Sequence, residues 1–333
     1  MTSLAEFTQL PDLASRRLGG SVVAANDELF AEKENLIKPS PPVFAAGDYG
    51  HKGKVYDGWE TRRRREPGHD YAIIRLGVPG IVHGVVVDTS FFLGNYPPQV
   101  SVEAVNVAGY PAASDLAEMS WQPLIARADA LGDAATMYPV TDLRRCTHVR
   151  LSIYPDGGVA RLRVHGRPVP DPAFLTGTVD LAALENGGEI ADCSDAFYGS
   201  AVSLIMPGLA RSMADGWENA RRRDGGYDYV TVALAGAGVV RSVEIDSSYY
   251  VGNAPGWARL LGAEPDLVWR ELLPRTRLQP DTRHRFLITD SGPVTHVRLE
   301  VFPDGGLARL RVHGELTADA LAGLDSRYRS SLA

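Results

Sequence analysis

The feature that most constrains this chain is that it contains one long motif twice. DGWETRRRR, from Asp57 to Arg65, returns as DGWENARRR, from Asp215 to Arg223. The first copy runs on through EPGHDYAIIRLGVPGIVHGVVVDTSFFLGNYP and the second through DGGYDYVTVALAGAGVVRSVEIDSSYYVGNAP without a gap, so Asp57/Asp215 and Pro97/Pro255 share an offset of 158. A charged, aromatic, glycine-bounded motif of this length does not recur by chance. The fold must be one unit used twice.

The offset itself reports where the copies differ. Asp12-Leu13-Ala14 with Gly19-Gly20 matches Asp180-Leu181-Ala182 with Gly187-Gly188 at an offset of 168, a register in which Asp27 meets Asp195. Further on, THVRLSIYPDGGVARLRVHG (Thr147 to Gly166) matches THVRLEVFPDGGLARLRVHG (Thr295 to Gly314) at 148. Each fall is an insertion of about ten residues in the first copy, and the first of these belongs to the Gly- and Pro-rich PSPPVFAAGDYGHKGKVY, which reads as a loop. The expected domains are residues 1–168 and 169–316, with prolines 168, 170 and 172 at the join and a short helical tail over 317–333.

Composition narrows the class. With 333 residues there is room for two ordinary domains, and 44% apolar with 23% charged residues suits globular cores. The net charge of −7 disfavours nucleic acid as a partner, since phosphate binding wants a basic surface. No apolar run is long enough to span a bilayer, and the opening MTSLAEFTQLPDL shows no secretory leader, so no membrane partner is expected. The two cysteines, Cys146 and Cys193, do not match between copies; a disulfide framework is not expected, and a reducing, cytoplasmic compartment fits.

The 34 Gly and 22 Pro and the many short β-branched runs favour strands. Residues 70–76 and 81–88 read as two strands separated by Gly77, Pro79 and Gly80. The segment around PDGG reads as a hairpin whose polar face sets Arg150 opposite Arg163 and His148 opposite His165. Like charges across a ladder repel, so that face should meet acidic groups, water or an anion. The expected class is all-β: a β-sandwich in each half.

Residues kept in both copies serve the fold or a site present twice; residues found in one copy escape the first constraint. Asp57, Trp59, Glu60, Arg63, Arg64, Arg65, Asp70, Asp88 and Asn95 are kept, while Thr61, Arg62, His69, His83, Tyr96 and the loop from Asp48 to Lys54 belong to the first copy alone. Catalysis in one repeat or in both is open on this pattern; if only one half is catalytic, the first is the better place. The pair His148/His165 offers two imidazoles for zinc or manganese, but the flanking arginines oppose a cation there. No Ser-His-Asp signature, P-loop, Rossmann fingerprint or HExxH is present.

These residues resemble the allantoicase (allantoate amidinohydrolase) family. The resemblance is carried by DGWETRR, Asp70-Tyr71, the strand ending IRLG, VDTSFF-GN-P from Val87 to Pro97, and PDGGVARLRV from Pro155 to Val164, in both halves and from about Gly19 to Gly314. It implies two tandem jelly-roll domains like galactose-binding domains, in a homo-oligomer. It also implies hydrolysis of allantoate to (S)-ureidoglycolate and urea in purine and allantoin catabolism. The chemistry needs a clamp for the carboxylate, for which Arg62, Arg63 and Arg64 are the candidates, and a group for a ureido arm, for which Asn95 is. Expelling urea needs a proton donor, and delivering water needs a base or a divalent metal such as manganese. Glu60, His69, Asp70 and Asp88 are the acid–base candidates, and the metal ligands are not assigned. The alternative is a non-catalytic tandem galactose-binding-like protein that only binds its ligand.

Overall fold

The computed structural model describes residues 6–266 and 268–332. Contacts divide the chain into two compact units, one built on the residues up to Val169 and one on Pro170–Arg329. Each is a β-sandwich, and the expected all-β duplication holds.

Each unit is built on one 19-residue strand, Asp70–Asp88 in the first and Asp228–Asp246 in the second. The first replaces the two strands expected there. Gly77 and Gly80 shift the ladder without ending the strand: a Cβ would come within 2.4 Å of Leu18 O at Gly77 and 2.2 Å of Arg167 O at Gly80. Only residues without side chains let neighbouring backbone cross so closely. The leading half of Asp70–Asp88 pairs with Ser21–Ala25 and Arg145–Tyr154. The trailing half pairs with Ala135–Pro139 and Arg161–Pro168. Gln99–Val105 and Gln122–Asp129 extend the first of these layers. The second unit repeats the scheme around Asp228–Asp246.

Alternation along these strands buries one face. Ile74, Val85, Val87, Val102, Leu151, Ile153, Leu162 and Val164 are fully buried, each contributing roughly 1.5–3 kcal/mol of apolar burial.

The expected PDGG hairpin does not form. Arg150 lies opposite Ile73 and Glu103, and His148 opposite Arg75 and Val105. Arg163 and His165 lie opposite Val86 and Gly84. The chain crosses from one layer to the other through Pro155–Ala160, so strands adjacent in sequence pair with different halves of the long strand. Period-two alternation fixes a strand's faces but not its partner.

Both insertions are local additions to the first unit. One carries a small hairpin of Tyr49–Gly50 and Gly53–Lys54. The other carries a one-turn helix, Ala113–Ala117, whose Leu116 packs with Ile73 and Trp121. A 14-residue helix, Ala318–Ser331, follows the last strand.

Candidate active site

The repeated motif begins as a two-residue strand, Trp59–Glu60, paired with Gly158–Val159. Trp59 is wholly buried and its indole N–H donates to Asp27 O at 2.7 Å; Trp217 does the same to Asp195 O at 2.8 Å. With the tryptophan inward, alternation turns Glu60 outward to a half-buried position. Burial raises the Glu60 pKa above its ordinary value, against the lowering effect of one hydrogen bond from Asn95.

Asn95 reaches Glu60 by way of a constrained turn. Asp88 Oδ1 accepts from the Ser90 backbone N–H at 2.8 Å and its hydroxyl at 2.5 Å. Phe91 then sits at φ 72°, left-handed and uncommon for a bulky residue, and its N–H donates to Asp133 Oδ1 at 2.7 Å. Tyr249 and Asp281 reproduce this in the second unit. The two glycines of PDGG lie against the far side of the turn. Gly158 N–H donates to Asn95 O at 2.7 Å, and a Cβ on Gly157 would come within 2.7 Å of Pro97 N. So held, Asn95 Nδ2 donates to Glu60 Oε1 at 2.7 Å, as Asn253 does to Glu218.

The arginines divide by partner. Arg62 pairs with Asp27, a carboxylate whose pKa is lowered despite burial by the N–H groups of Leu29 and Arg62 and by the Arg62 guanidinium. Arg64 lies 3.3 Å from Asp70 and donates its backbone N–H to Asp156 at 2.7 Å. Arg63 is exposed and bonds to no other described residue. Of the three arginines expected to form the clamp, only Arg63 has no partner among the described residues.

His69 and Asp70 stand with Arg64 in a neighbouring group. Asn26 Nδ2 donates to Asp70 Oδ1 at 3.0 Å, and the His69 ring packs on Tyr154 at 4.8 Å. Burial, then Arg150 and Arg64, lower the His69 pKa. Buried Arg64 Nε and Asp70 Oδ2 lack hydrogen bonds here, whereas Arg222 and Asp228 complete both arms, at 3.2 and 3.1 Å. Glu60 with Asn95 and Arg64 with Asp70 are thus two groups, joined through Asn26-Asp27. Asp88 shapes the turn before Asn95.

Thr61, singled out because its twin is Asn219, is buried scaffold. Its Oγ1 accepts from Gly157 N–H at 3.2 Å, the same task Asn219 Oδ1 performs for Gly305 at 2.8 Å.

The first insertion brings aromatic rings to this place. Phe44 stacks on Tyr56 (5.6 Å) and Phe91 (5.4 Å), Tyr56 stacks on Phe92 (4.8 Å), and Lys54 Nζ sits 4.4 Å from the Phe44 ring. Sequence reasoning missed Tyr56, because burial of a ring on an inserted loop has no period. Asp27 was visible as the twin of Asp195, though its role as acceptor for Arg62 was not.

These donors do not fit a divalent ion. Asp27, Asp57 and Asp70 are each bonded to Arg or Lys, and among the described residues no group of three or more His, Cys, Asp or Glu converges. His148 and His165, weighed as a pair, are not neighbours across a ladder. His148 is buried beside Thr147 Oγ1 with its pKa pushed down to about 4, by burial first and then Arg75. His165 Nδ1 lies 2.7 Å from Leu10 O.

A family model described as the allantoicase repeat matches residues 11–169 and 179–317. A probable allantoicase of Nocardia farcinica is 59% identical, over 93% of this chain and 95% of that protein. One from Streptomyces coelicolor is 49% identical over 97% and 90%. The crystal structure of allantoicase from Saccharomyces cerevisiae superposes with a TM-score of 0.79 at 34% identity, covering 92% of this chain and 93% of that one.

Proposed function

The chain belongs to the allantoicase family, and from that premise we propose how its first repeat carries out the reaction. The enzyme hydrolyses allantoate to (S)-ureidoglycolate and urea in purine and allantoin catabolism. The binding-only alternative falls with that assignment. We assign the chemistry to the group around Glu60 and Asn95, and the observation that carries this is a half-buried carboxyl with a raised pKa, held by a single side-chain hydrogen bond.

Allantoate carries a carboxylate and two ureido groups on one carbon. Arg63 receives the carboxylate, being the one of the three clamp candidates with no described partner. Asn95, whose Nδ2 is given to Glu60, presents its Oδ1 to a ureido N–H. The Glu60 carboxyl donates its proton to the nitrogen of the departing arm as the C–N bond breaks, releasing urea. The nitrogen of the remaining arm shares its lone pair with the central carbon, forming a C=N bond. Water adds to that carbon and gives its proton to the Glu60 carboxylate, which regenerates the acid and leaves the product hydroxyl. One group serves as acid and then base, so every proton is accounted for. Arg62, Arg64, Asp70 and Asp88 act through the frame that sets Glu60, Asn95 and Arg63, and His69 packs beside it.

We further propose a cytoplasmic setting, supported by the unpaired thiols of Cys146 and Cys193, and a homo-oligomer, which light scattering checks. No helix among the described residues is long and apolar enough to cross a membrane. The test of the site is urea release from allantoate by Glu60→Gln, which keeps the shape and the Asn95 contact but cannot donate in the same way. Activity within twofold of the parent would remove Glu60 from the mechanism.

A further inference from the structure

The two repeats bring a phenol to their shared glutamate by different routes. In the second, Tyr250 is fully buried and its hydroxyl donates to Met213 O at 2.9 Å. That hydroxyl lies so near the motif strand that a Cβ on Gly216 would come within 2.3 Å of it. The Met213 sulfur lies 3.3 Å from Asn253 Nδ2. The phenol is closed onto the turn before the motif strand, and the side chain of that turn's Met213 meets Asn253.

The first repeat has Phe92 in place of Tyr250 and Tyr56 in place of Ala214. Tyr56 is held by its ring alone, between Phe92 at 4.8 Å and Phe44 at 5.6 Å. Its hydroxyl bonds to no other described residue. The same Phe92 ring closes on Gly158, the register partner of Glu60, so the stack sets the phenol beside the Glu60 strand. After burial, the charge of Glu60 is the largest influence raising the Tyr56 pKa.

We propose that the Tyr56 hydroxyl contacts substrate in the first-repeat site, donating a hydrogen bond to the carbonyl oxygen of the ureido arm that Glu60 expels. As the C–N electron pair passes into that arm it spreads onto the carbonyl oxygen, and a fixed donor there stabilises the charge as it develops. This rests on the Glu60 assignment and extends it. Tyr56, its ring held by Phe44 of the insertion, is then what makes the first repeat the working copy, a free phenol where the second repeat has a spent one.

The test is Tyr56→Phe, which keeps the ring stack. Urea release should lose about 10- to 100-fold in kcat, with KM changed less than about threefold and Tm unchanged, the pattern of a contact made in the transition state. Tyr250→Phe should leave urea release unchanged. Activity of Tyr56→Phe within twofold of the parent overturns the proposal, as does a loss matched by Tyr250→Phe or accompanied by a fall in Tm. If Glu60→Gln is inactive while Tyr56→Phe is not impaired, only the tyrosine assignment falls. If Glu60→Gln stays active, the Glu60 reading falls, and the role given to Tyr56 falls with it.

Discussion

The two repeats share a frame and differ in what surrounds it. Both bury a tryptophan against an aspartate carbonyl, hold a residue at φ 72° and join an asparagine to a glutamate at 2.7 Å. In the second repeat the ion pairs are completed, with Arg222 on both Asp224 and Asp228, and Met213 lies over the asparagine. In the first, Arg64 and Asp70 keep unpaired buried atoms, and an insertion walls the site with stacked rings. The difference teaches that the Glu–Asn pair comes with the fold, and in the proposed mechanism activity depends on what is left unsatisfied around it.

The largest contrast should come from the glutamates. Glu60→Gln is expected to lower the kcat of urea release by roughly 10²–10⁴-fold, the usual worth of a general acid–base group, and Glu218→Gln by less than twofold; equal losses would break the comparison. Symmetry should return in the frame. Trp59→Ala and Trp217→Ala should each cost about 3–5 kcal/mol in denaturant unfolding, as large cavities do, and a twofold disparity between them would show that the two cores are not equivalent. Arg63→Ala should then lower kcat/KM by about 10- to 100-fold, mostly through KM, while Arg221→Ala leaves it unchanged.

The smallest effect is the dependence on pH. In the proposed mechanism Glu60 donates in its acid form, which persists to higher pH than an ordinary carboxyl because burial raises its pKa. Urea release should therefore fall as pH rises through that raised value. Glu218→Gln should keep this fall, and Glu60→Gln should flatten it. A limb that survives Glu60→Gln belongs to another group, and His69 would then be the one to examine.

Much of this was legible beforehand, for a reason that applies to any duplicated chain. Two copies within one sequence show which positions can vary, so the insertions, the sandwich class and the pairing of Asp27 with Asp195 came from offsets alone. Glu60 and Asn95 stood out only as residues kept in both copies, and their contact with each other did not. What stayed hidden depends on contacts distant in sequence. Arg62 and Arg64 looked like a clamp because their partners, Asp27, Asp70 and Asp156, lie outside the motif. The PDGG segment looked like a hairpin because alternation cannot say that Arg145–Tyr154 and Arg161–Pro168 pair with different halves of one strand. Thr61 looked like a site residue because it differs from Asn219, although both accept a backbone N–H from the same loop.

That long strand has a further consequence. Asp70–Asp88 belongs to both layers of its sandwich, so neither layer can slide or peel without carrying the other. Asp70, at its start, anchors the group containing Arg64, and Asp88, at its end, opens the turn that presents Asn95. Those two ends pair with Ile153 and Arg161, on either side of the Pro155–Ala160 crossover, so the strand bends back on itself between them. A one-residue deletion between them would slip one end of the strand against its partner and turn its side chains to the other face.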